Sequence, residues 1–297
     1  MRVSSFKGWL LCLPALTLFL LFFLGPACVG LATSFFAWDG MSASARFVGW
    51  SNYVELLSAD RFWASMRINM VVVIASLALQ TPLGLGLALL LSRPGKGMAF
   101  YRNAIFSPQV LSVAAVALIW QLVYDPYQGL LNALVGHAYS WVGLPAPHIA
   151  WLGDTDTALI SLILVTTWYY TGLSMLLFMA GLASIPKEFL EAARLETSRW
   201  SQQLRYVTLP MLREVFLIVF TMTFAGSFGH IIGLFFLMTA GGPAGRTEVV
   251  GLYMHSSAFR AFQFGYASAI SVIMIFLVLV VVIWPARRMA RERLEYG

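Results

Sequence analysis

Charge is what this 297-residue chain has least of. Asp, Glu, Lys and Arg make up 11% of it, while 60% is hydrophobic and the mean hydropathy is +0.79. Ordinary globular domains carry roughly 25% charged residues, so a soluble domain is excluded. Apolar runs of about 20 residues, enough to cross a bilayer, account for about half the chain. The two cysteines, Cys12 and Cys28, stand on one apolar run. Their spacing is about 24 Å on a helix, which excludes a disulfide between them. No Gly-x-x-x-x-Gly-Lys-Ser/Thr is present; the nearest fragment, Gly95-Lys96-Gly97, lacks the hydroxyl that would hold magnesium. A nucleotide site of its own is therefore not expected. His-Glu-x-x-His, Cys-x-x-Cys and Gly-x-Ser-x-Gly are missing too, so neither a metal site nor an enzyme is expected. No span carries an acid near its middle, where proton and ion relays keep theirs, which argues against a proton-driven carrier.

What is present is membrane-spanning. Six spans are predicted, at about Trp9–Phe36, Ile68–Leu91, Ala104–Val123, Thr157–Ala183, Val215–Met238 and Phe264–Trp284. The first follows a basic start (Arg2, Lys7) but stays uncharged from Gly8 to Trp38. That is too long for a signal-peptide core, and a retained helix is expected. The net charge of +6 flanks the spans and does not form a nucleic-acid face. Of the 19 Lys and Arg, 14 fall on one side: Arg2 and Lys7; Arg93, Lys96 and Arg102; Lys187, Arg194, Arg199, Arg205 and Arg213; Arg287, Arg288, Arg291 and Arg293. Arg46, Arg61, Arg67, Arg246 and Arg260 fall on the other. The positive-inside rule places both termini in the cytoplasm, in a multi-pass membrane protein. The domain reading is an N-terminal helix with its outer connection at 1–62, a transmembrane core at 63–287 and a cytoplasmic tail at 288–297.

The outer connections contain Trp38, Phe47, Trp50 and Tyr53, then Asp125-Pro126, Trp141 and Trp151, then Ala240-Gly241-Gly242-Pro243. Such aromatics either anchor at the membrane interface or dock an external partner. The cytoplasmic side has one dense island of charge, from Ser184 to Pro210. Its alanines and spaced apolar residues read as two short helices. Ser184 is expected to cap the first, with Pro186 in its first turn and Glu188 near the positive dipole end. Trp200, Leu204 and Val207 recur at i, i+4 and i+7, which predicts a second helix packed under the spans.

Uncharged hydrogen-bonding groups and aromatics gather in two spans. Thr166, Trp168, Tyr169 and Tyr170 lie in the fourth, and Thr223, Ser227 and His230 in the fifth. A sugar needs this mixture, since ring faces stack on Trp or Tyr while hydroxyls pair with Ser, Thr or His. The same residues also serve helix packing in lipid. Gly226, Gly229 and Gly233 recur at helical spacing in the fifth span; they allow close helix approach or a loosened backbone, and packing is the favoured reading.

Glu191-Ala192-Ala193, with Leu209-Pro210 downstream, resembles the EAA loop of permease subunits in binding-protein-dependent ABC importers. An ordered series extends the likeness: Phe47-Val48-Gly49, Asn52-Tyr53, Tyr101-Arg102, Pro108, Trp120, Tyr124-Asp125-Pro126, Gly129 to Asn132, Ala180-Gly181-Leu182, Thr239, Gly241-Gly242-Pro243, Thr247, Phe259 and Gly265-Tyr266-Ala267. The group it is most similar to is the MalF/UgpA-like carbohydrate permeases. The resemblance implies an all-α fold of six transmembrane helices, the type I importer (MetI-like) fold, with both termini inside. It implies a second homologous permease subunit, two copies of a cytoplasmic ABC ATPase that bind ATP and Mg, and an extracytoplasmic solute-binding protein. By that likeness Phe189, Leu190, Glu191, Ala192, Ala193, Arg194, Glu196 and Thr197 couple the chain to the ATPase. Thr197 stands where the family usually has glycine, which puts the usual turn in doubt.

Together these readings predict the permease subunit of an ATP-driven importer for a mono- or oligosaccharide, glycoside or polyol, in contact with membrane lipid and not with nucleic acid. An importer of the glycerol-phosphate type is the alternative within the family. A stand-alone facilitator or channel is the alternative from another class.

Overall fold

The computed structural model describes the backbone of residues 5–93 and 95–296. Arg2 and the side chains of Lys7, Arg288, Arg291 and Arg293, counted in the topology, lie outside the described residues. The elements are almost all helical. In order they are α1 (Ser5–Phe19), α2 (Gly25–Thr33), a ribbon of β1 (Phe36–Ala37) and β2 (Arg46–Phe47), α3 (Ser51–Ser58), α4 (Asp60–Leu91), α5 (Met98–Phe106) and α6 (Val113–Val123). There follow α7 (Leu130–Trp141), α8 (Ala158–Ser184), α9 (Lys187–Glu196), α10 (Trp200–Gln203), α11 (Leu209–Met211), α12 (Arg213–Phe228), α13 (Ile231–Thr239), α14 (Val250–Phe259) and α15 (Phe264–Tyr296).

Four stretches are continuous helix long and apolar enough to span: Cys12–Thr33, Asp60–Leu91, Ala158–Ser184 and Phe264–Ile283. Two bent pairs, Met98–Val110 with Val113–Val123 and Trp200–Met211 with Arg213–Phe228, pass the same test only when joined, so the described residues hold four spans, or six where each pair counts as one. The third span is not the straight helix expected over Ala104–Val123. It bends by 100° between Met98–Val110 and Val113–Val123. Pro108 opens a 3-10 turn at Ser107–Val110, and Ser112 then caps α6, its hydroxyl accepting from the Ala115 amide. The fifth span is interrupted as well. α12 stops at Phe228, and Gly229 and His230 form a turn before α13. The segment Trp200–Met211 meets α12 at 66°.

Contacts divide the chain into two units, 1–63 with 253–277 and 64–252 with 278–297. In the first, β1 and β2 pair antiparallel, Phe36 opposite Phe47. The Asn52 amide donates to the carbonyls of Ser34 (2.8 Å) and Phe36 (3.0 Å), and the hydroxyls of Tyr253 and Tyr266 share a 2.8 Å hydrogen bond. A Cβ on Gly265 would sit 1.8 Å from the Phe36 carbonyl oxygen, so only glycine fits there. In this unit Asn52, Gly265 and Tyr266 are structural residues.

The second unit has two apolar cores. One joins Val72, Val116, Leu162, Val165 and Phe235; the other joins Ala88, Met175, Phe178, Ile185 and Leu212. Its outer loops are held by polar staples. The Asp125 carboxylate accepts from the amides of Gln128 (2.7 Å) and Tyr127 (2.9 Å), which hold its pKa below the ordinary aspartate range. The buried Thr247 hydroxyl bonds the Thr239 hydroxyl at 2.7 Å and the Gly242 carbonyl at 2.6 Å. These bonds account physically for Asp125, Thr239 and Thr247 in the ordered series.

Candidate functional site

A cavity of about 340 Å³ opens among α4, the 3-10 turn after α5, α8 and α12. Five of the seven path residues expected from sequence line it: Thr166, Tyr170, Thr223, Ser227 and His230. The other two point elsewhere. Tyr169 is buried in the first core, and its hydroxyl donates to the Leu111 carbonyl at 3.0 Å, tying α8 to the bend of the third span. Trp168 is 41% exposed and stands edge-on to Trp120, 5.5 Å between ring centres.

The far wall was not foreseen. Ser76 and Gln80 of α4 line it, with Gln109 on the 3-10 turn and Ser174 on α8. The signal existed: Asn69, Ser76 and Gln80 lie at i, i+7 and i+11, one polar stripe along an apolar span. Asn69 donates its amide to the Ser227 carbonyl at 3.0 Å, bracing α12 just before its break.

The hydrogen-bond state of these groups separates spent donors from open ones. The Thr166 hydroxyl is given to the Leu162 carbonyl (2.7 Å) and that of Ser227 to the Thr223 carbonyl (2.8 Å). The buried Ser76 Oγ and Gln109 Oε1 have no protein partner. An orphaned buried polar atom costs about 1–3 kcal/mol, so a lining that leaves two is suited to a ligand or water that pairs them. Among the described residues, no Asp, Glu, Lys or Arg lines the cavity. Gly226 faces this space, its absent Cβ 3.5 Å from His230 Nδ1, and Gly229 sits at the helix break. Of the three glycines read as packing residues, only Gly233 meets a neighbouring span, at Val113.

On the cytoplasmic side α9 turns two faces in different directions. Ala193 is buried, and Leu190 packs against the second core. Phe189, Glu191, Ala192, Arg194 and Glu196 are exposed. Leu195, which the sequence reading passed over, is 90% exposed, an apolar side chain with no cover in this chain. Ser184 does not cap α9. It closes α8, its hydroxyl donating to the Gly181 carbonyl at 2.8 Å, and Pro186 occupies the N-cap position. Trp200 is likewise exposed and not packed under the spans.

Thr197 resolves the missing glycine. Its backbone is extended (φ −150°, ψ 136°), a conformation a β-branched residue favours, so no left-handed turn is needed. Its hydroxyl oxygen accepts from the Arg199 amide at 3.2 Å and pairs with the Gln202 side chain, while Gln203 donates to its carbonyl at 2.7 Å. Thr197→Ala is therefore expected to loosen the α9–α10 corner by about 1 kcal/mol, the typical value of a capping hydroxyl. Faster amide exchange at Arg199 and Gln202 would show it; unchanged exchange would mean that the hydroxyl contributes nothing.

Residues 80–291 match the family model described as the binding-protein-dependent transport system inner membrane component. The chain is 34% identical over 273 residues to the probable ABC transporter permease protein YurN of Bacillus subtilis, covering 91% of each chain. It is 32% identical over 276 residues to the multiple sugar-binding transport system permease protein MsmF of Streptococcus mutans, covering 93% of this chain and 92% of that one. Its fold matches a bacterial ABC transporter involved in import of the acidic polysaccharide alginate, with TM-score 0.81 and 20% identity over 97% of this chain and 96% of the other. The chain belongs to the family of inner membrane components of binding-protein-dependent transport systems, and is an ABC importer permease subunit of the MetI-like fold.

Proposed function

We propose that this permease carries an uncharged sugar, glycoside or polyol through the cavity between α4, α8 and α12. The carrying observation is the lining itself. It offers hydroxyl, amide, phenol and imidazole groups, two of them orphaned, and no charged side chain among the described residues. A phosphorylated or acidic substrate would lack a cation to receive it here. The relative in Streptococcus mutans, whose name specifies multiple sugars, supports the same class.

Gln109 Oε1 requires a donor, and a sugar hydroxyl is one. Tyr170 brings an aromatic face to the same space. Energy enters from a separate ATPase, of which two copies bind this chain and a second homologous permease, and a solute-binding protein delivers the sugar outside. The exposed face of α9, with Glu191 at its centre, is the ATPase contact, and ATP and Mg stay on that partner. The assembled complex in proteoliposomes should take up radiolabelled neutral sugars in an ATP-dependent manner and leave glycerol 3-phosphate outside. Uptake by this chain alone, without ATPase, would instead make it a facilitator. Gln109→Leu and Tyr170→Ala are each expected to raise the KM for uptake about tenfold, the value of one or two lost polar or stacking contacts, with assembly retained. Unchanged uptake kinetics in both would return these residues to packing.

A further inference from the structure

Five arginines lie on the outer side against the positive-inside trend, and two of them share one pocket. Arg61 is in the first turn of α4 and Arg260 follows the end of α14; Ser256, Ser257 and Gln263 complete a polar rim around about 410 Å³. Arg61 is already positioned. Its guanidinium lies 5.1 Å from the centre of the Tyr253 ring and its Nη2 is 3.5 Å from Ser256 Oγ. Arg260 is exposed at the rim. The Ser256 and Ser257 hydroxyls are given to the Tyr253 carbonyl, each at 2.9 Å, so the donor set for a phosphate oxyanion is the two guanidinium forks.

Depth suggests the source of that phosphate. Arg61 precedes the apolar run starting at Ile68 by seven residues. That separation is about 10 Å along a helix. The headgroup layer extends about 5–8 Å beyond the hydrocarbon, within reach of an arginine side chain from there. Trp63, Phe259 and Phe262, close in sequence to the lining residues, are each about half exposed, as aromatics of the interfacial belt are. A second pocket shares Gln263 as a wall and has the opposite sign, with Asp39 and Glu55 in its lining. Backbone amides of Ser42 and Met41 hold the exposed Asp39 carboxyl down to about 2, so it is anionic at any physiological pH.

We propose that these paired pockets bind the zwitterionic headgroup of a phosphatidylethanolamine of the outer leaflet, its phosphate on Arg61 and Arg260 and its ammonium toward Glu55 and Asp39. The headgroup would seal the outer rim of the first unit against the bilayer. A docking protein could also present paired charges, but the exposed aromatic flank and the depth favour lipid.

Native mass spectrometry of the full chain, released from nanodiscs of phosphatidylethanolamine and phosphatidylglycerol in equal parts, reads this directly. Wild type should retain phosphatidylethanolamine preferentially. Arg260→Gln, which alters only an exposed side chain, should lower that retention about tenfold, the value of one charge-assisted contact. Glu55→Gln should shift the preference toward phosphatidylglycerol while total retention holds. Equal retention by wild type and Arg260→Gln would overturn the proposal. So would a thermal shift with inorganic phosphate alone in delipidated protein matching that with lipid, which would make a free anion the occupant. Unchanged lipid retention in Arg260→Gln, with loss of ATPase stimulation by a loaded binding protein, would also overturn it and make the pocket a protein contact.

Discussion

Glu191→Lys is expected to leave this permease folded and inserted while lowering substrate-stimulated ATP hydrolysis of the assembled complex about a hundredfold. The first half follows from exposure: Glu191 lies on the open face of α9, so its reversal disturbs no packing within the chain. The second half follows from the proposed interface, where placing a like charge opposite a partner costs several kcal/mol, about a hundredfold in occupancy per 2.7 kcal/mol. Leu195→Asp tests the same face without reversing a charge, because it removes a side chain 90% exposed here and places a carboxylate in its stead. Wild-type stimulation in both variants would remove α9 from the ATPase contact. Stimulation lost together with the detergent-stable fold would point to misfolding and not to coupling.

Gly172→Ala, in mid α8, is expected to lower thermal stability of the purified protein by about 1–3 kcal/mol and to impair uptake with it. In an ordinary helix interior the same change stabilises by about 1 kcal/mol. The sign reverses because the new Cβ would stand 2.6 Å from the Ile105 carbonyl oxygen and 2.9 Å from Phe106 Cα, both backbone atoms that cannot swing away. Relief requires α5 to retreat, and the 3-10 turn bearing Gln109 follows α5 directly. Gly226→Ala is the control. Its Cβ meets only His230 Nδ1 at 3.5 Å, an ordinary contact, so stability should hold or rise while the cavity shrinks. A melting temperature of Gly172→Ala at or above wild type would show that α5 and α8 do not approach at Gly172.

Much of this architecture is written in the sequence because the bilayer makes it so. Apolar runs and the lysine and arginine asymmetry locate spans and sides, since burying a charge in hydrocarbon costs too much to leave ambiguous. The α9 motif is likewise local and dense. The breaks were harder to read. A run such as Ala104–Val123 is apolar throughout, and hydropathy does not see direction; only Pro108 marked the bend. At Gly229-His230, spacing favoured packing, although a glycine without a close neighbour is equally a place where a helix can stop. The cavity wall from α8 was legible through clustered threonines and tyrosines. Ser76 and Gln80 belong to a sparse stripe with Asn69, Gln109 stands alone, and only the register of α4 and the turn after Pro108 bring them together. Whether Tyr169 faced the cavity or the core was a matter of one helical step, which composition does not encode.

α8 serves both ends of the molecule. Ser174 and Leu177 face the cavity, while Met175 and Phe178, on the adjoining face, are buried in the core that receives Leu190 of α9. From Ser174 to Ser184 the helix is unbroken, about 15 Å. The buried Ile185 pins the corner that follows. In lever terms, α8 is an uninterrupted arm set between two interrupted spans. A displacement applied at α9 would cross one corner, Ile185-Pro186, and then a continuous helix before it met the cavity that Gln109 and His230 also line.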